Sequence, residues 1–93
     1  MIKSFACKET SRLFNRQFSR KLPQSIQRIG RRKLEILDAA EILQDLKIPP
    51  SNHLENLSGY RRGQYSIRIN SQWQICFKWR KQDAYEVEIV DYH

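Results

Sequence analysis

The sequence predicts an α+β domain in which N-terminal helices pack on one face of a small, mainly antiparallel β-sheet and leave the other face open and basic. Three observations carry this. Apolar residues recur at helical spacing up to about Lys47 and alternate like strand residues after about His53. The late alternation sets apolar rows against polar or charged ones, as a sheet with one buried face requires. The chain has 93 residues, 40% of them hydrophobic and only three of them Gly, enough for one small core, so residues 1–93 are read as a single folded domain.

Taken in order, Ile2 and Phe5 flank Lys3 and Ser4 in a pattern that suits a short strand. A first helix is expected from Glu9 to about Phe18, with Leu13, Phe14 and Phe18 on one side. Pro23 stands at a favourable helix start, and Ile26, Ile29, Leu34, Leu37 and Ala40 form the apolar stripe of a second helix. A further turn or two runs through Ile42, Leu43 and Leu46 until Pro49-Pro50 stops it, because proline lacks an amide donor and restricts the residue before it. Strands are then expected at Leu54 to Leu57, Gln64 to Asn70, Trp73 to Arg80 and Tyr85 to Val90. Side chains alternate along a strand. Tyr65, Ile67 and Ile69, then Trp73, Ile75, Phe77 and Trp79, then Tyr85, Val87 and Ile89 therefore form the core rows. The opposite rows hold Ser66, Arg68 and Asn70, then Gln74, Cys76, Lys78 and Arg80, then Glu86, Glu88, Val90 and Tyr92.

Charge narrows the partners. With 17 Lys plus Arg against 10 Asp plus Glu, the net charge of +7 favours a polyanion such as nucleic acid, or an acidic protein. Between Arg12 and Lys33 lie eight cations (Arg12, Arg16, Arg20, Lys21, Arg28, Arg31, Arg32, Lys33) and no carboxylate. They are either a solvated helix face or a set of phosphate contacts, which bind through counterion release without reading sequence. Arg61, Arg62, Arg68, Lys78 and Arg80 form a second basic set on the loop and the open sheet face, with Tyr60 and Tyr92 placed to stack on unpaired bases. Part of that set has a plainer use in cross-strand pairs of Arg68 and Lys78 with Glu86 and Glu88. No apolar run is long enough to span a bilayer and Met1-Ile2-Lys3-Ser4 does not begin a signal peptide, so no membrane association and a cytoplasmic location are expected. Cys7 and Cys76 are read as reduced thiols.

Several chemistries are unsupported. There is no phosphate-binding glycine loop, no dinucleotide fingerprint and no Gly-X-Ser-X-Gly turn. Cys7, Cys76, His53 and His93 lack the spacing of a zinc site, so no metal and no cofactor is expected. His53, in the Pro-Pro-Ser-Asn-His loop, has structural and functional readings of equal weight. The distinctive feature is the run Val90-Asp91-Tyr92-His93. Cleavage of RNA by its own 2′-hydroxyl needs a base for that proton, an acid for the leaving 5′-oxygen and cations for the phosphorane charge. His93 and Tyr92 can supply the first two roles. Carboxylates near the imidazole favour its protonated form, which suits His93 to the acid role. The arginines supply the charge, since guanidinium donors match phosphate oxygens.

These segments together resemble the HigB-type (host inhibition of growth) toxins of the RelE/ParE superfamily, essentially end to end. The resemblance is carried by Ile2-Lys3-Ser4-Phe5, by Arg32-Lys33-Leu34 with Leu37-Asp38-Ala39-Ala40, and by Pro49-Pro50-Ser51-Asn52 with Leu54-Glu55. It continues through Gly63-Gln64 with Ser66-Ile67-Arg68-Ile69-Asn70, Gln72-Trp73, Ile75-Cys76-Phe77 and Val87-Glu88-Ile89-Val90-Asp91-Tyr92-His93. What the resemblance implies is a type II toxin that enters the ribosomal A site and cuts messenger RNA there, leaving a 2′,3′-cyclic phosphate and a 5′-hydroxyl. It implies a HigA-type helix-turn-helix antitoxin as partner, and operator DNA bound through the complex of the two. It places catalytic weight on Asp91, Tyr92 and His93. Arg68 is added as a catalytic cation, and Tyr60, Arg61, Arg62, Gln74 and Lys78 as RNA-binding residues.

Two positions depart from the family pattern. Gln74 follows the Gln-Trp pair where Arg is common, and Leu57-Ser58-Gly59-Tyr60 replaces a Leu-Lys-Gly-Asp loop, so two expected cations are absent. Arg61, Arg62 or Arg68 is expected to compensate. Two alternatives stay open: a non-catalytic inhibitor of the same fold that blocks DNA gyrase, and a weakened toxin serving mainly as an antitoxin-binding partner.

Overall fold

A computed structural model describes residues 1–91. Two helices, α1 (Lys8–Phe14) and α2 (Gln24–Ala39), lie on a four-stranded sheet of β1 (Glu55–Asn56), β2 (Tyr65–Arg68), β3 (Trp73–Arg80) and β4 (Asp83–Asp91). The strands follow one another in space in the order β1-β2-β3-β4, each pair antiparallel. Three 3₁₀ turns, Leu43–Lys47, Pro50–Asn52 and Gly59–Arg61, carry the chain around the sheet. The α+β architecture expected from the change of periodicity is the one observed.

The core lies between the helices and one sheet face. Ile26, Leu34 and Leu37 of α2 and Leu13 of α1 pack over Ile67, Ile69, Ile75, Phe77, Ala84, Val87 and Ile89. Phe77 is fully buried at the centre, with the Tyr65 and Trp79 rings edge-on to it at 6.1 and 6.3 Å. Gly30 lets α2 come close: a Cβ there would stand 3.2 Å from Leu13 Cδ2.

Several element boundaries differ from the sequence reading. The segment at Ile2 to Phe5 forms no full strand and instead makes two parallel bridges, Ile2 to Ala84 and Phe5 to Val87, on the outer edge of β4. Helix α1 stops at Phe14, since Arg16 adopts a left-handed φ of 62°, and Phe18 is left 63% exposed. Ile29, expected in the buried stripe, is exposed, because the inward face of α2 runs through Ile26, Gly30, Leu34 and Leu37 at helical spacing.

The largest correction concerns parity in β4. Its register against β3 shifts between Cys76 and Lys78, and Glu86 takes a left-handed φ of 52°. This β-bulge adds a residue to β4 and reverses the faces beyond it. Ala84 and Val87 are therefore fully buried, whereas Tyr85 pairs with Lys78 on the opposite face, under the Arg80 guanidinium at 4.5 Å. The displaced Glu86 amide is satisfied by Ser4 Oγ at 2.8 Å. A second edge amide, that of Ile89, donates to the buried Thr10 Oγ1 at 3.0 Å. Thr10→Val keeps the shape and strands this amide, so it is expected to lower stability by about 1–3 kcal/mol, read as a fall in the urea midpoint.

The basic helix run is also less uniform than its sequence. Lys33 turns inward and is 7% exposed, while Arg12 pairs with Glu9 at 3.5 Å and Arg16 with Glu35 at 3.4 Å. Among the described residues no helix is long and apolar enough to cross a membrane.

Candidate functional site

The sheet face turned away from the helices is a groove with a buried floor. Ser66, Gln74 and Cys76 are buried there. The chain from Leu57 to Arg61 comes over them, and Arg61 reaches Glu88 of β4 with Nη2 at 3.2 Å from Oε1. At one end lies a pocket of about 300 Å³, lined by Leu57, Ser58, Tyr60 and Arg61 from the loop, Gln74 from β3, and Val90 and Asp91 from β4. Strand register creates this convergence: Gln74 sits between Arg68 on β2 and Val90 on β4, and the next pair, Trp73 and Asp91, closes the end. The Asn70 side chain accepts the Gln72 and Trp73 amides at 2.8 Å each and fixes the preceding turn. Gln72 Nε2 then donates to Asp91 Oδ2 at 3.0 Å, which holds the carboxylate at the pocket rim.

Arg61 is anchored rather than loose. Its Nη1 donates to Gln64 Oε1 at 3.0 Å while Nη2 serves Glu88. Burial alone would lower its pKa, but the adjacent Cys76 and the hydrogen bond and charge of Glu88 outweigh that and raise it, so the guanidinium stays charged. Burial pushes the Cys76 thiol up, against the opposing pull of Arg61, so this sulfur stays protonated and is a floor group rather than a nucleophile. Two floor atoms, Ser66 Oγ and Gln74 Oε1, are buried with no hydrogen-bond partner among the described residues.

Of the sequence-derived candidates, the pocket unites Tyr60, Arg61, Gln74 and Asp91. Arg68 is half-buried opposite Gln74, beside the pocket and outside its lining. Arg62 is exposed and also outside it. Lys78 lies farther along the groove in a 2.9 Å ion pair with Glu86. His53 is exposed, in a left-handed conformation after the Pro50–Asn52 turn, and does not line the pocket. Tyr92 and His93 lie outside the described residues. Leu57, Ser58 and Val90 complete the lining, and none of the three was singled out as a site residue. Val90 carried a signal, as the one apolar member of an otherwise polar row, whereas nothing in the sequence marks Leu57.

Among the described residues the pocket thus offers one anchored cation, one positioned carboxylate, an amide, a serine hydroxyl, an exposed phenol and two apolar walls. That set can hold a phosphodiester beside a ring. Among the described residues no group of three or more His, Cys, Asp or Glu side chains could hold a metal ion. A hollow of about 510 Å³ on α2, lined by Ser25, Arg28, Ile29, Arg31, Arg32 and Glu35, offers cations but no arrangement for proton transfer.

Comparison with known proteins bears on both fold and site. A family model described as a RelE-like toxin of the type II toxin–antitoxin system HigB matches residues 3–93. The chain is similar to the protein named Toxin HigB-1 of Vibrio cholerae, at 50% identity over 60 residues covering 64% of this chain and 63% of that protein. It is also similar to the protein named Endoribonuclease HigB of Proteus vulgaris, at 35% identity over 94 residues and the whole of both chains. The match to the Vibrio protein thus spans less than two thirds of that relative's length, and the match to the Proteus protein all of it.

Proposed function

Since this chain belongs to the HigB-like family of RelE-like toxins, we propose that it is the toxin of a type II toxin–antitoxin system and an endoribonuclease that cuts messenger RNA in the ribosomal A site. The observation that carries the reading is the meeting of Asp91, Arg61 and Tyr60 in one groove pocket at the end of β4, the strand whose sequence continues into Tyr92 and His93.

In this reading the 2′-hydroxyl attacks the adjacent phosphorus, Tyr92 accepts its proton and His93 protonates the leaving 5′-oxygen, with Asp91 favouring the imidazolium. Arg61 and Arg68 stabilise the phosphorane charge. Tyr60, 97% exposed, stacks on an unpaired base, and Arg62 and Lys78 contact the backbone farther along. The protein acts in the cytoplasm, is silenced by a HigA-type helix-turn-helix antitoxin, and reaches operator DNA through that complex. Arg20 and Lys21 between the helices and Arg28, Arg31 and Arg32 of α2 suit the phosphates of a large RNA assembly.

Primer extension on actively translated messages tests the proposal. New 5′-hydroxyl ends that appear only with translating ribosomes, paired with 2′,3′-cyclic phosphates upstream, are the expected result. Unchanged messages together with altered plasmid supercoiling would instead mean a gyrase-blocking inhibitor.

A further inference from the structure

The end of the groove away from the pocket carries a feature that the proposed chemistry does not use. Tyr85, a core residue by simple alternation, is turned onto the groove face by the bulge in β4. The turn is made at Glu86, whose φ of 52° is one that a glutamate in a strand rarely adopts. Strained backbone of this kind gathers where a side chain has to be aimed. What this one aims is a stack, since the Arg80 guanidinium lies over the Tyr85 ring at 4.5 Å from its centroid.

Arg80 has a side to spare. It is exposed, and among the described residues no carboxylate pairs with it, whereas Arg61 is held by Glu88 and Lys78 by Glu86. Half-buried Tyr85 supports the guanidinium from beneath and leaves its upper side open to solvent. A guanidinium plane takes an unpaired base on its face and a phosphate at its edge. An acidic peptide would need only the charge, and gives no reason for an aromatic support under it.

The position fits a strand of RNA laid along the groove. Gln74, Cys76, Lys78 and Arg80 alternate onto one face of β3, so Arg80 stands six residues, about 20 Å, from the pocket at Gln74. Between the two, Arg61 reaches Glu88, the ladder partner of Cys76, and Lys78 is paired with Tyr85. Cations thus follow one another along the path, and a backbone that tracks them brings a base well removed from the pocket over Arg80.

We propose that Arg80 and Tyr85 form a second RNA-binding subsite, a stacking platform that holds an unpaired base of the bound strand remote from the linkage to be cut and accepts any of the four bases. That the polymer is RNA rests on the ribonuclease reading above. The platform itself rests on the bulge and the stacked guanidinium.

The probe is a fully 2′-O-methylated RNA, which cannot be cleaved, long enough to pass both ends of the groove. An abasic residue is moved along it one position at a time, and binding to the intact protein is read by fluorescence anisotropy. At one position, removing the base should weaken binding about five- to tenfold, the lower end of what a stacked base is worth, whichever base stood there. Arg80→Lys keeps the charge and loses the plane, so it should abolish the loss at that position and leave the salt dependence of binding unchanged. Tyr85→Leu removes the supporting ring and should shrink the same loss. Each loss is a ratio measured on one protein, so a lower folded fraction in a variant does not disturb it. A flat profile, losses that all survive in Arg80→Lys, or RNA that does not bind would overturn the platform. Cut messages with a flat profile would leave the nuclease reading standing without the platform, and an Arg80-dependent loss without cut messages would do the reverse.

Discussion

Arg61→Ala is expected to slow messenger RNA cleavage by about 10²- to 10³-fold, the effect of removing one positioned donor from a developing negative charge. The expectation follows from place rather than from charge count. Among the described residues, Arg61 is the one cation of the loop and groove face that lines the pocket. Its hydrogen bonds to Gln64 and Glu88 hold it before substrate arrives, so no reorganisation is needed when charge develops. Ser58 and Gln74 stand where the family pattern leads one to expect two further cations, which concentrates the task on Arg61. Arg62→Ala and Lys78→Ala, outside the lining, should each change the rate by less than about threefold, as contacts screened by solvent. Arg61→Lys should fall between, because an ammonium keeps the charge and loses the fork that matches phosphate. His93→Ala, which removes the proposed acid, should cost about 10²- to 10⁴-fold. The Arg61–Glu88 pair is part-exposed and contributes at most about 1 kcal/mol, so the loss should appear in single-turnover cleavage with little change in the urea midpoint. If Arg61→Ala cuts at the wild-type rate while Arg68→Ala does not, the charge role belongs to Arg68.

Much of this arrangement was legible in the sequence, and the misses share a cause. The exchange of 3.6-residue for two-residue periodicity placed the helices before the sheet. Simple alternation also set the parity of β2 and β3, where Tyr65, Ile67, Ile75 and Phe77 face the helices as expected. Alternation failed in β4 because a bulge is a change of register, and Glu86, the residue in the left-handed conformation, is not one that advertises it. The Ser4 hydroxyl that satisfies the bulge comes from 82 positions away, a contact no local pattern encodes. Four site candidates converge because Gln74 and Asp91 lie near one end of two paired strands, and pairing of those strands was inferable. The roof of the groove was not, since the 3₁₀ turn at Gly59–Arg61 carries no periodic signal and its placement depends on Arg61 finding Glu88. A face read as bare is therefore a groove with a buried floor.

Lys33 gives the clearest case of a residue whose type suggests one role and whose surroundings impose another. Counted by sequence among cations facing phosphate, it lies 7% exposed and donates Nζ to Asn52 Oδ1 and, at 3.4 Å, to Ser51 Oγ. Asn52, fully buried, spends its amide hydrogens on the Leu46 and Ile48 carbonyls at 3.1 and 3.3 Å. One side chain thus ties α2 to two 3₁₀ turns. Asn52→Ala removes the ammonium's principal partner and strands two carbonyls, and is expected to cost about 3–5 kcal/mol, the range for breaking a buried charged contact from one side. That is a large share of the roughly 5–15 kcal/mol available to a domain. Lys33→Met, which removes the charge and keeps the stem, should cost less, and the double variant should cost less than the sum, because the second change removes the charge the first left unpaired. The lysine also leaves a signature in pH. Burial, then the neighbouring Arg32 charge, lowers its pKa in the folded state below the ordinary 10.5. Between that lowered value and 10.5 the unfolded chain binds more protons than the folded one, so this group's contribution to stability rises with pH across that window and is flat below it. Urea midpoints measured from neutral pH to about pH 10.5, the upper edge of that window, should therefore show an alkaline gain in the wild type relative to Lys33→Met. Parallel curves for the two proteins would mean that burial and the Arg32 charge do not lower the Lys33 pKa in the folded state.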